Sequence, residues 1–184
     1  MFLIMKINMD YISVNNIEFK IIKLLGHGKG GYSYLVEKDN KLFVCKQIHH
    51  EPCSYYNFGN KLESEINDYN RLNNIGINMP KMLDVDYNNE RILKEYIKGN
   101  TILEDIKNDV DISFGLIQVR NMANVLKNNN LNIDYFPTNF ILCNSILYYI
   151  DYECNNYMEE WNFNNWGIKY WSKTKELLDY LKNN

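Results

Sequence analysis

The sequence predicts an α+β chain in which helices are segregated from strands. Three observations carry that expectation. Residues 10–50 read as short strands rich in β-formers around a glycine cluster. Residues 60–74 and 111–127 switch to helical spacing. The resulting order is strands, helix, strands, then helix, a small hairpin and a helical end, without regular βαβ alternation. A chain of 184 residues fits one domain or two small lobes. With 46% apolar and 23% charged residues, whole-chain disorder is excluded.

Each element has its own warrant. Residues 17–25 and 32–37 flank the glycines, and 41–48 follows an Asp39-Asn40 turn as a buried strand. Over 60–74, Leu62, Ile66, Tyr69 and Leu72 share one helical face. Extended segments 81–87 and 91–97 are separated by the Asn88-Asn89 turn, and Gly99 ends the second. The clearest helix carries the stripe Ile112, Leu116, Val119, Ala123 and Leu126, with Asp109 or Asp111 placed to cap it. Residues 140–142 and 147–150 form a hairpin around Asn144-Ser145, and 172–181 is a final amphipathic helix.

Charge and cysteine usage narrow the setting. A net charge of −3 gives no basic bias toward nucleic acid or an anionic membrane, and neither is expected as a partner. Cys45, Cys53, Cys143 and Cys154 form no Cys-x-x-Cys pair and no metal spacing with His27, His49 or His50. They read as free thiols of a cytoplasmic protein. The apolar stretch 1–5 is too short for a signal sequence, and no run approaches the roughly 18 apolar residues of a spanning helix.

Four places could carry chemistry. Gly26-x-Gly28-x-x-Gly31 lets backbone amides approach phosphate oxygens, although a bare glycine hairpin has the same composition. It runs into a strand, unlike a Rossmann loop, and lacks the Gly-Lys-Ser/Thr of a Walker loop. Lys46 lies 15 residues beyond Gly31 in an apolar strand, where it either meets an anion or faces solvent from an edge. Glu65 adjoins the apolar face of the first helix and could orient Lys46; Glu63 and Asp68 compete, and a solvated charge is the plainer outcome. Asp134-x-x-x-x-Asn139 is followed 12 residues later by Asp151. One acid could take a hydroxyl proton while the amide and the second acid hold Mg²⁺, or the stretch is an ordinary polar turn.

In order and spacing this set resembles the protein-kinase-like superfamily over residues 17–153. The 134–142 stretch is similar to a catalytic loop and the strand after it, and Tyr149-Ile150-Asp151-Tyr152-Glu153 to the metal-binding Asp-Phe-Gly motif. The stretch from Glu65 to Pro80 is similar to aminoglycoside phosphotransferases and other small atypical kinases, and Leu93–Gly99 to their hinge. The resemblance implies a bilobal protein-kinase-like α+β fold. Residues 1–98 would be an N-lobe and 99–184 a reduced C-lobe. Trp161, Phe163, Trp166 and Trp171 would replace missing C-terminal helices.

It also implies roles. Backbone around Gly26, Gly28 and Gly31 covers the ATP phosphates. Lys46 contacts the α- and β-phosphates and pairs with Glu65. Glu95 and Ile97 bond adenine through their backbone, Asp134 is the catalytic base, and Asn139 and Asp151 bind Mg²⁺. The implied enzyme is a kinase transferring the γ-phosphate of ATP to a hydroxyl on a protein Ser/Thr or on a small molecule. Asn132, Phe136 and Glu153 depart from the family's usual His, Lys and Gly. They motivate the alternative of a nucleotide-binding regulatory module without turnover, a pseudokinase.

Overall fold

The computed structural model describes residues 11–51 and 59–183. Cys53 and the apolar stretch 1–5 lie outside them. The chain divides into two compact units. One contains the described residues up to Ser64 together with Lys81–Tyr96; the other contains Glu65–Pro80 and the described residues from Ile97 onward.

The first unit is built on β1 (Tyr11–Val14), β2 (Ile17–His27), β3 (Gly31–Lys38), β4 (Lys41–Ile48), β5 (Met82–Asp86) and β6 (Arg91–Glu95). They form one antiparallel sheet in the order β1-β2-β3-β4-β6-β5. Asn15-Asn16 and Asp39-Asn40 join neighbouring strands with positive φ at both positions (48° and 66°, 50° and 59°). Asn and Asp tolerate this left-handed conformation, and paired positive φ angles match the right-handed twist of the strands they connect. Register shifts between Ile21 and Lys23, Leu24 and Gly26, and Met82 and Asp84 bend the sheet.

The bend brings the outer strands together. The Arg91 guanidinium donates to the Ser13 carbonyl at 2.6 Å, and Asn15 reaches both Asp84 (2.9 Å) and Asp86 (2.8 Å). The concave core is Ile12, Val14, Phe19, Val36, Cys45 and Leu93, with Phe43 meeting Phe19 edge-on at 5.7 Å.

This architecture corrects the expected fold class. The chain is mostly β, organised around a curled six-stranded antiparallel half-barrel, and is not a bilobal kinase-like α+β fold. The physical reason is that paired left-handed turns, bulges and the bonds from Asn15 and Arg91 roll one sheet over its own apolar face. Helices are few.

α1 (Lys61–Asn74) begins in the first unit and continues into the second. The second unit adds α2 (Ile102–Lys107), α3 (Ser113–Asn128), β7 (Leu131–Ile133), β8 (Phe140–Cys143), β9 (Ile146–Tyr149), β10 (Cys154–Asn156) and α4 (Lys175–Asn183). α2 was not expected, yet Thr101 and Glu104 form a reciprocal capping box at its start. α3 starts at Ser113, whose N–H donates to the Asp111 carboxylate at 2.9 Å. Its buried line is Gly115, Val119, Met122 and Leu126; Leu116 and Ala123 of the expected stripe are only half-buried. Gly115 moves the contact line, because a Cβ there would already touch Ile102 at 3.4 Å.

β7 pairs with β10, and β8 with β9, both antiparallel. Trp171, Phe140 and Phe163 pack edge-on beneath them. Among the described residues, no helix is long and apolar enough to cross a membrane.

Candidate functional site

In the first unit the glycine cluster forms the turn between β2 and β3. Gly28 N–H donates to the Gly31 carbonyl at 3.0 Å, and Gly31 N–H returns a bond to Gly28 at 3.3 Å. The glycines have different demands. Around Gly26 and Gly28 a Cβ would meet nothing within 4 Å. At Gly31 a Cβ would lie 2.3 Å from the Gln47 carbonyl oxygen, so a side chain is excluded by backbone. At Gly30 the neighbour is the Lys46 ammonium, 3.5 Å from where a Cβ would stand.

Lys46 occupies β4, flanked by β3 and β6, so it is not on an edge strand. The structure therefore brings the glycine turn and Lys46 together. Glu95 ends β6; its N–H donates to the Lys81 carbonyl at 2.9 Å, and its carboxylate accepts the Lys81 N–H at 3.2 Å. Lys61 supports the turn from the first residue of α1. It is 6% exposed, and its ammonium donates to the carbonyls of His49 (2.6 Å) and Lys29 (3.1 Å). Those carbonyls satisfy a cation that burial would otherwise penalise.

Glu65, Ile97, Asp134, Asn139 and Asp151 belong to the second unit. Glu65 is 9% exposed and shares the buried side of α1 with Leu72, so it is not a solvated charge. Its competitors differ. Glu63 is exposed, while Asp68 pairs with Arg71 at 3.1 Å and accepts the Cys154 N–H at 3.2 Å. Ile97 is buried.

Asp134 follows β7 and remains exposed; its Oδ1 accepts the Phe136 N–H at 2.9 Å, which orients the carboxylate. The Asn139 side-chain amide donates to the Asp134 carbonyl at 3.3 Å, and the Ile150 N–H donates to the Asn139 carbonyl at 2.9 Å. Asp134, Asn139 and Asp151 are thus gathered at the open end of the β8–β9 hairpin. The Tyr149 hydroxyl ties them further, donating to the Glu153 carbonyl at 2.9 Å and meeting the Asp134 backbone. Burial, followed by the charges of Asp151, Asp134 and Glu153, holds the Tyr149 phenol far above its ordinary range. It stays protonated and acts as a hydrogen-bond donor.

Sequence reasoning missed Lys61; it placed Trp171 in the aromatic tail and Tyr149 in the stretch around Asp151, without the bonds they make. The Trp171 indole N–H donates to the Tyr135 carbonyl at 2.7 Å, beside Asp134, so the aromatic tail positions the loop directly. Burial pushes Cys45 up to about 12, and burial with the Asp68 carboxylate does the same for Cys154. Neither a scan against protein-family models nor a search of curated proteins finds a match for this chain.

Proposed function

We propose that this chain is a Mg²⁺-dependent phosphotransferase that moves the γ-phosphoryl group of ATP to a hydroxyl acceptor. Support comes from the chemistry of the groups and not from the fold. The observation that carries it is the grouping of Asp134, Asn139 and Asp151 at one hairpin end.

The donor set fits Mg²⁺, which takes hard oxygen ligands from one or two protein groups and completes its shell with water and phosphate. Asn139 and Asp151 would hold it, and when bound it would neutralise phosphate charge. Asp134 accepts the acceptor's hydroxyl proton as the oxygen bonds to the γ-phosphorus. The bridging P–O bond breaks toward ADP. Within the first unit, Lys46 beside the glycine turn offers a positive charge to phosphate oxygens. A cytoplasmic setting accords with the free thiols Cys45, Cys143 and Cys154.

The test is ADP formation by the purified full chain, with and without Mg²⁺, across protein and small-molecule hydroxyl acceptors. The expected result is Mg²⁺-dependent ADP release that Asp134→Asn removes. Mg·ATP binding without ADP release overturns turnover in favour of a nucleotide-binding module. Neither binding nor release overturns both.

A further inference from the structure

We propose that His27, His49 and Glu51 form a Zn²⁺-binding site at the base of the glycine turn. All three lie in the first unit, at the end of β2 and just after β4. Their ligand atoms fall within 4.8 Å of one another. Two imidazoles and one carboxylate match a three-residue zinc set that leaves one position open. His27 Nε2 stands 3.4 Å from Glu51 Oε2. Two ligands of a tetrahedral zinc, each at about 2.05 Å, are separated by about 3.4 Å.

The surrounding hydrogen bonds prepare each ligand. His49 Nε2 lies 2.9 Å from the Gly28 carbonyl, which only accepts. Nε2 therefore carries the proton, and the Nδ1 lone pair faces Glu51; zinc at Nδ1 would displace the long 3.2 Å bond that it accepts from the Glu51 N–H. A metal-bound histidine characteristically donates its other N–H to a carbonyl or carboxylate in this way. On the other side, the Tyr32 hydroxyl donates to Glu51 Oε1 at 2.5 Å, which leaves Oε2 turned to His27. Tyr32 also stacks on the His27 ring at 4.3 Å and 5°, holding its plane. Zinc on these residues joins the end of β2 to the segment after β4, beside Gly28, whose carbonyl accepts from the His49 ring.

The experiment is calorimetric titration of the chelator-stripped full chain with zinc chloride, paired with the absorption spectrum of the Co²⁺-substituted protein. The expected result is one zinc per chain, lost in His27→Ala and in Glu51→Gln. Tyr32→Phe keeps the stacked ring and should weaken binding about 10–100-fold. Circular dichroism of each variant confirms an intact fold, and the exposed His27 offers His27→Gln as a conservative second variant. Undiminished affinity in folded His27→Ala or His27→Gln overturns the proposal. A thiolate-to-cobalt charge-transfer band overturns it as well, because the ion would then belong to cysteines. Absence of zinc binding by the wild-type chain overturns it outright.

Discussion

The two hairpins that carry the candidate chemistry are built in opposite ways. β2–β3 is long, with strands of 11 and 8 residues and two register shifts, and most of β2 faces solvent. Its glycine turn is held from outside, by the Lys61 ammonium on Lys29 and His49 and by the His49 ring on Gly28. β8–β9 has four residues a side in unbroken register, closed by Asn144-Ser145 with φ of 48° and 65°. It is held from within, by buried Phe140, Leu147 and Tyr149. The glycine end of β2–β3, where β2 is exposed from Ile22 to His27, opens at lower free energy than a packed strand pair. Under the proposed function the first hairpin is the cover for phosphates, and the second is the platform that keeps the acidic groups aligned.

Substitutions can break this contrast, beginning with the platform. Asp134→Asn should lower kcat about 10²–10⁴-fold while leaving the melting temperature unchanged, because Asp134 is exposed. Steady-state kinetics and a thermal melt together check this. Trp171→Ala removes a fully buried indole and the donor to Tyr135, and should cost about 3–5 kcal/mol in urea unfolding. Trp171→Phe keeps most of the packing and should lose about 1–3 kcal/mol by leaving the Tyr135 carbonyl unpaired.

On the cover, Gly31→Ala should cost about 1–3 kcal/mol, since its Cβ would strike the Gln47 backbone. Gly28→Ala meets open space and should cost less in the same melt.

The curl of the sheet can be loosened by acid. Asp86 is 1% exposed, and its carboxyl lies below the ordinary range, first through the Asn89 side chain and then through backbone N–H groups including that of Asn15. A depressed native pKa adds stability above the unfolded value of about 4, and that stability is lost as pH falls through the lower native value. Melting temperature against pH should show this loss in the wild type and a flatter profile in Asp86→Asn.

The smallest effect is chemical. Alkylation of the native protein followed by peptide mapping should label half-buried Cys143 and spare Cys45 and Cys154, whose thiols are held near 12.

Local chemistry was legible in the sequence wherever neighbours in the chain decide it. The turns at Asp39-Asn40 and Asn144-Ser145 are adjacent residue pairs that tolerate positive φ. The helix at 113–128 follows from apolar spacing, although Gly115 shifted its buried line. The Thr101-x-x-Glu104 capping box is itself a sequence signal for the start of α2. β7 and β10, three residues each, are too short to show a period. The fold class failed for a different reason. Curling depends on Asn15 meeting Asp86 and Arg91 meeting Ser13, pairs 71 and 78 positions apart. At the site, spacing drew attention to Asp134, Asn139 and Asp151. Lys61 and Trp171 act on backbone carbonyls, which leave no residue-type signature.

The most direct measurement is ATP turnover by the wild-type chain, Lys46→Ala and Asp151→Ala, each verified as folded. One substitution removes a group beside the glycine turn and the other a group at the β8–β9 platform. The account predicts Mg²⁺-dependent turnover in the wild type and a loss of at least about 100-fold in both variants. Wild-type rates in either variant would contradict it.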